Sequence, residues 1–463
     1  MKLILQRLGR IWSRSFFVAV TIITGGVALT AGEKDHAIDD EFWAEAMRMA
    51  NIQPVEYRAK VVNAADRKRL GTWSGKIDWP HIPVSAFNMP NGKIATFASN
   101  RRDSFPRGAE FTYAAVYDPA TGKITERNHD SHDMFCATLV MMEDGRPLVL
   151  GGRNTVRFTS VFDWKTEKWK RTADMNDGRW YATATHLSGN NVAVASGSGG
   201  TNTVELGSPS GFRRLSGINW SGIAGASGFE SHWWPINFLA PNGRIFHAGP
   251  TDRMHWVNPN GSGQLIDSGK NVPGNWYPKH SATAMYAKGK IIVAGGAANT
   301  GGGTTNAVYT VDVNGNTPVV QQKASMKHRR RFASGVMLPD GNFMAVGGNT
   351  SGKKFNDEGT VYECELYNPN TNKWSVLADL AIPRNYHSVA LLLADGRVYA
   401  GGGGLNGTSP SNHPDAQVYS PYYLYNSSGG KVGRPKITGA LTNLYHYLTF
   451  KSLESPSGQK NAI

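Results

Sequence analysis

The chain has 463 residues, of which 40% are hydrophobic, with only two cysteines and a formal net charge of +14 at pH 7. That length and apolar content allow a large buried core, while two cysteines exclude a scaffold stapled by several disulfides. The charge suits an anionic wall polymer or membrane surface as partner, no nucleic-acid-binding motif is present, and 53 Gly, 13 Trp and 17 Tyr point to short strands and tight turns.

The first 31 residues place Lys2, Arg7, Arg10 and Arg14 ahead of an apolar run from Phe16 to Ala31, with small residues at Ala28, Thr30 and Ala31. This is the layout of a secretory signal or, if retained, an anchor, and it predicts export. The run is short for a membrane-spanning helix. The segment 32–69 follows, and within it an Asp cap and apolar residues at helical spacing predict one short helix over 39–50.

From Trp73 onwards the helical period gives way to short alternating runs. An apolar strand, an Asn-Gly or Asp-Gly type turn, a second apolar strand and then small residues recur seven times, as in ATLVMMEDGRPLVLGG, ASGVMLPDGNFMAVGG and SVALLLADGRVYAGGG. With Ser99, Gly151, Gly197, Gly249, Gly295, Gly347 and Gly401 as marks, the intervals are 52, 46, 52, 46, 52 and 54 residues, close to the roughly 50 residues of a kelch blade. A third and a fourth strand follow most copies, for example in CELYNPNTNKWSVL, which makes four strands per blade. The seventh copy has a third strand in DAQVYSPYYLY but no Lys-Trp fourth strand, and LGTWSGKIDW around Trp73 supplies the missing pattern. The expected fold is therefore all-β, a seven-bladed kelch-type propeller over 70–430, closed by an N-terminal strand.

Counting back 15 residues from the Gly marks aligns Cys136, Trp234, His280, Phe332 and Tyr386 at the mouths of the first strands, with Tyr181 one residue out of step. Strands of a propeller converge on its axis, so these side chains should crowd one end of the channel. Sulfur, phenol and imidazole there suit a redox metal such as Cu(II). Each also has a plainer reading: the tyrosines as channel packing, His387 as a hydrogen-bonded strand histidine, Cys136 as a small buried hydrophobe or as the partner of Cys364 in a disulfide. No carboxylate pair occupies these positions, which argues against a glycosidase.

The motifs HDMFC (132–136), GRWYAT (178–183), NYHSVALLLADGRVYAGGGGLNG (385–407) and NHPDAQVYSPYYLY (412–425) resemble the copper radical oxidases, the family of galactose oxidase and glyoxal oxidase. The resemblance implies a copper cofactor with Tyr181 and His387 as equatorial ligands and Tyr386 as axial ligand. It also implies a thioether between Tyr181 and Cys136 that forms a radical cofactor, and Tyr386 as general base. The implied reaction is oxidation of a primary alcohol, an aldehyde or a carbohydrate by O2, with H2O2 as product. The family places a tryptophan over the cross-linked tyrosine; GSGSGGTNTVEL after Tyr181 contains none, leaving Trp234 and Trp276 as candidates. A further equatorial histidine comes, in the family, from a C-terminal β-sandwich domain. Here family-like sequence runs to RPKIT (434–438), so 431–463 is expected to be a truncated remnant of that domain, and His446 has no family-like surroundings. The expectation is thus an exported, monomeric copper oxidase. The alternative is a kelch propeller that has lost its oxidase site and serves as a binding or structural module at the cell surface.

Overall fold

The structure is a computed structural model that describes residues 19–23, 26–30, 61–200, 202–224, 232–274, 276–299 and 302–433. The chain divides into two compact units, Met1–Asn51 and Ile52–Ile463. In the first, the described residues are one antiparallel pair, Ala19–Ile23 with Gly26–Thr30. The rest of the expected signal, the helix expected over 39–50 and the tail with His446 lie outside the described residues. No helix among the described residues is long and apolar enough to cross a membrane.

In the second unit the described residues begin with a short helix, Ala64–Leu70, whose first turn is capped by Asn63 accepting from the N–H of Asp66 at 3.0 Å. Seven antiparallel sheets make up most of the rest. The first pairs Ser85–Asn88, Ile94–Phe97, Ala114–Tyr117 and Ile124–Glu126 in that order. Five more repeat the arrangement, their inner strands being Thr138–Met141, Thr183–His186, Asn237–Leu239, Ala282–Ala287 and Ser334–Met337. In the seventh, Ser388–Leu392, Val398–Gly402 and Asp415–Ser420 come from the end of the described chain. Its outer edge comes from the beginning: Thr72 and Trp73 pair with Ser420 and Tyr419, and Ile77 and Asp78 with Ala416 and Asp415. The inner strand of the seventh sheet lies against that of the first. The result is a seven-bladed β-propeller.

Each blade is packed between two others, so its second strand is buried on both faces: every residue of Ile94–Phe97, Pro147–Leu150, Val192–Ala195 and Phe343–Val346 is buried. That is why these strands read as continuous apolar runs. Outer strands alternate instead, and their tryptophans staple one blade to the preceding one. Trp169 donates from Nε1 to the carbonyl of Arg127 at 2.7 Å, Trp374 to that of Ala324 at 2.7 Å, and Trp73 to that of Ala378 at 3.0 Å. Trp73 thus does for the seventh blade what Trp169 and Trp374 do for the second and sixth.

The glycines that mark the repeat have a steric cause. A Cβ on Gly151 would stand 2.1 Å from the carbonyl oxygen of Arg179, and one on Gly347 2.2 Å from that of Arg384. Both glycines also have positive φ, where a side chain is strained. The next residues, Gly152 and Gly348, donate to those same carbonyls at 3.1 and 2.7 Å. The arginines are themselves buried and paired with carboxylates of their own blades, Arg179 with Glu205 at 3.1 Å, Arg330 with Glu365 at 2.6 Å and Arg384 with Asp415 at 2.5 Å. Removing one partner of such a pair leaves a buried charge uncompensated.

Trp73 also packs on Tyr419, ring centroids 5.1 Å apart. Trp73→Phe is expected to lose about 1 kcal/mol of stability, the worth of one hydrogen bond, and Trp73→Ala about 3 kcal/mol, both read from urea midpoints. No change in either variant would mean that the edge strand contributes nothing to the ring.

Candidate functional site

The inner strands are entered through a turn with a fixed backbone. Cys136, Tyr181, Trp234, His280, Phe332 and His387 all have φ between 49° and 65°, a left-handed conformation uncommon for residues with side chains. Five of them stand six residues before the residue whose N–H closes the hairpin turn: Met142, Leu187, Ala240, Leu338 and Leu393. This corrects the register read from the Gly marks. Tyr181 is in step, and in the seventh blade the aligned residue is His387, not Tyr386. The cause is the choice of mark within the run of four glycines: Val389 pairs with Gly401 as Thr138 pairs with Leu150, so Gly402, not Gly401, is the equivalent of Gly151. Hydrogen bonds join consecutive mouths, from Tyr181 N to Cys136 O at 3.2 Å, Trp234 N to Tyr181 O at 2.9 Å and Phe332 N to His280 O at 3.0 Å.

In an extended strand adjacent side chains point to opposite faces. The left-handed turn rotates the chain so that two adjacent side chains share the channel end. The rings of Tyr386 and His387 therefore stack with centroids 3.9 Å apart, and those of Trp180 and Tyr181 at 4.3 Å. Four expected site residues meet here. The hydroxyls of Tyr181 and Tyr386 are 2.9 Å apart, and Cys136 Sγ lies 3.6 Å from Nε2 of His387. Neither cysteine is in a disulfide, so Cys136 is not bridged to Cys364.

The hydrogen bonds assign the imidazole tautomers. His387 donates from Nδ1 to the carbonyl of Gly404 at 2.6 Å, which leaves the lone pair on Nε2, the nitrogen that meets the Cys136 thiol. A ligating histidine is commonly oriented by a carbonyl in this way. His280 is set up oppositely: Arg331 donates to its Nδ1 at 2.7 Å, so Nε2 carries the proton and is not a metal donor. Two phenols and one imidazole thus fit a copper ion. Among the described residues no group of three His, Cys, Asp or Glu gathers to hold a metal, so any metal reading depends on the phenols.

The surroundings are aromatic, and Tyr181, Tyr386 and His387 are buried. Phe355 packs edge-on against Tyr386 at 5.1 Å, and Phe135 lies 5.2 Å from His387. Burial holds His387 down to about 3, the nearby Lys354 acting in the same direction, so the imidazole stays neutral at ordinary pH. Beneath these residues runs a cavity of about 500 Å³ lined by Cys136, Tyr181, Trp234, His280, Phe332 and Tyr386. Behind Tyr386, Asn385 donates to Asp357 at 2.8 Å, and Asp357 also meets His413 at 2.9 Å, tying the seventh mouth to the loop that carries Lys354 and Phe355.

Of the tryptophans expected near Tyr181, Trp234 is in contact at 4.1 Å, whereas Trp276 packs in a different core, 6.4 Å from Tyr309. Two contacts were missed by sequence reasoning, Trp180 and Trp233, at 4.3 and 4.8 Å from the Tyr181 ring. Their only sequence signal was adjacency to a mouth residue, which the period of two for a strand reads as pointing away.

No family model matches the chain. It is 34% identical over 414 residues to galactose oxidase of Gibberella zeae, covering 82% of this chain. A fungal alcohol oxidase of the AA5 family, solved in complex with copper, matches with a TM-score of 0.74 and 28% identity over 79% of each chain. The chain belongs to the copper radical oxidase family. A further relative is aldehyde oxidase GLOX1 of Arabidopsis thaliana, 25% identical over 246 residues, or 46% of this chain and 39% of the relative. The chain spans 59% of the length of the galactose oxidase it matches.

His132, in the HDMFC segment, is structural: it donates from Nε2 to Gly151 O at 2.7 Å, and its Nδ1 accepts from Ser160 at 2.9 Å. Burial pushes His132, His81 and His247 each down to about 3. Their neutral forms are favoured only in the folded chain, and the unfolded chain takes up protons near the ordinary value of about 6.5, so acid favours unfolding. Between about pH 6.5 and 5 each of the three is expected to remove roughly 1.4 kcal/mol per pH unit. Urea unfolding at about pH 7, 6 and 5 measures this decline, and His247→Gln should make it shallower by one histidine's share.

Proposed function

We propose that this chain carries the redox centre of an oxidase that converts a primary alcohol or an aldehyde, using O2 as acceptor and releasing H2O2. The observation that supports it most is the meeting of two phenols, 2.9 Å apart, with a neutral imidazole that stacks on Tyr386 and whose unprotonated Nε2 lies 3.6 Å from the thiol of Cys136 at another blade mouth. Tyr181, Tyr386 and His387 would hold copper. When bound, the metal supplies one-electron redox chemistry, and a second one-electron store on Tyr181 completes the two electrons that the oxidation requires.

The side chains have separate tasks in this reading. Cys136, hydrogen-bonded through its carbonyl to the N–H of Tyr181, would form the thioether on that ring and make the phenol easier to oxidise. Tyr386 would accept the proton of the substrate hydroxyl, a role open to a phenolate that lines the cavity. Phe355 packs edge-on against it, and Phe135 against the neighbouring His387. The alcohol loses two hydrogens and becomes the aldehyde, and O2 gains them. The N-terminal basic and apolar pattern supports export, and the net charge of +14 supports contact with anionic polymers outside the cell. A second reading, a propeller that binds without catalysis, is favoured by one observation: the described residues offer a single imidazole to the metal.

Incubation with copper and O2 followed by digestion should yield a peptide joining Cys136 to Tyr181, lighter by two hydrogens than the sum of its parts. Cys136→Ser should yield none, and Tyr386→Phe should keep the cross-link but lose about a hundredfold in peroxide production, the scale of a general-base contribution. Absence of both the cross-link and peroxide with a panel of alcohols and aldehydes would leave the binding module as the better reading.

A further inference from the structure

The ring of Tyr181 is surrounded by three indoles, Trp180, Trp233 and Trp234, with centroids 4.3, 4.8 and 4.1 Å away. Indole and phenol are the protein side chains most readily oxidised by one electron, and at contact distance an electron passes easily between them. A phenoxyl on Tyr181 would take an electron from an indole and become phenolate, leaving an indole radical cation. Loss of the indole N–H proton to a base would then make the transfer permanent. Three indoles in contact with an oxidising tyrosine therefore need a device that keeps them reduced.

Each indole has a cation near its face. Lys354 Nζ is 5.3 Å from the Trp233 ring and 5.3 Å from that of Tyr386. Lys279 Nζ is 5.4 Å from the Trp234 ring, and Arg153 Cζ is 5.8 Å from that of Trp180. Positive charge over a ring favours the neutral, electron-rich form and opposes a second positive charge on it. Lys279 is 1% exposed and donates to the carbonyl of Trp233, so its charge acts in a medium where screening is weak. The proton half of the transfer is opposed as well. Trp180 Nε1 is buried with no hydrogen-bond partner among the described residues, and Trp233 Nε1 donates to the hydroxyl of Ser198 at 2.7 Å, a poor base.

We infer that Arg153, Lys279 and Lys354 keep the indoles around Tyr181, and the neighbouring phenol of Tyr386, from being oxidised, so that an oxidising equivalent stays on Tyr181. The inference draws its purpose from the oxidase reading above, but its test does not need that reading to hold.

The metal-free full chain is oxidised with photo-excited tris(bipyridyl)ruthenium and persulfate as the one-electron oxidant. Oxygenated tryptophan is then measured in digested peptides, with Trp164 and Trp374 as references in the same digest. Lys354→Met is expected to raise oxidation of Trp233, and Lys279→Met that of Trp234, by about tenfold relative to the references, within the range of a desolvated cation–π interaction. Lys354→Arg and Lys279→Arg should remain at the wild-type level. No rise in the methionine variants, or an equal rise in the arginine variants, would overturn the inference, the second outcome assigning the lysines to packing. Lys354 is half-buried, so its pair of variants decides the matter if those at Lys279 do not fold. In parallel, copper-loaded wild-type protein treated with hexacyanoferrate(III) is examined for a protein radical by electron paramagnetic resonance. Failure there counts against the oxidase reading alone, while the metal-free measurement still decides the role of the charges.

Discussion

The site depends on one backbone feature, the left-handed residue at the mouth of each inner strand. At six mouths φ is positive on a residue that is not glycine, a conformation that costs on the order of 1–2 kcal/mol each. It persists because the ring over-determines it: the mouth N–H of Tyr181, Trp234 and Phe332 is bonded to the mouth carbonyl of the preceding blade. The next blade's arginine carbonyl in turn fills the space where a glycine has no Cβ. Contacts between blades thus help to hold the strain at the mouths, and the consequence is chemical. Two adjacent residues can both face the axis, which is how Tyr386 and His387 come from consecutive positions of a single strand entry.

Around this frame the protein removes water and fixes protons. The buried imidazole of His387 is kept neutral, and the Gly404 carbonyl decides which nitrogen bears the proton. The imidazole of His280 is kept neutral by burial and by neighbouring cations, Arg331 first among them, and that same Arg331 reverses the choice of nitrogen. Two histidines at equivalent mouths are thereby given different capacities, one as a metal donor and one as a hydrogen-bond donor. The distinction comes from one neighbouring group in each case and not from the histidines themselves.

Family membership and activity stand on different ground. The propeller is shared with relatives named galactose oxidase, aldehyde oxidase and fungal alcohol oxidase, and the three candidate ligands and the thiol meet at one end of its channel. The chain nevertheless spans 59% of the galactose oxidase it matches, and the described residues present one imidazole where the resemblance implies two. Trp180 falls within the GRWYAT motif, but Trp233 and Trp234 and the flanking cations Arg153, Lys279 and Lys354 lie outside the motifs that carry the resemblance.

Much of this was legible in the sequence because repetition and strand period are local properties. Apolar runs of four or five residues between turn residues, recurring at intervals of 46 to 54, suffice for a seven-bladed ring, and the HDMFC, GRWYAT and NYHS segments bring Cys136, Tyr181, Tyr386 and His387 forward as candidates. What only the tertiary structure decided was orientation. Strand period places Trp180 and Trp233 away from the channel, but a single left-handed residue after each turns them onto Tyr181. Counting from glycine marks put Tyr386 at the seventh mouth, but strand pairing makes Gly402 the equivalent mark and moves that position to His387. Proton placement on His280 and His387, and the cations over the indoles, follow from groups 17 to 121 residues distant, which no local pattern encodes.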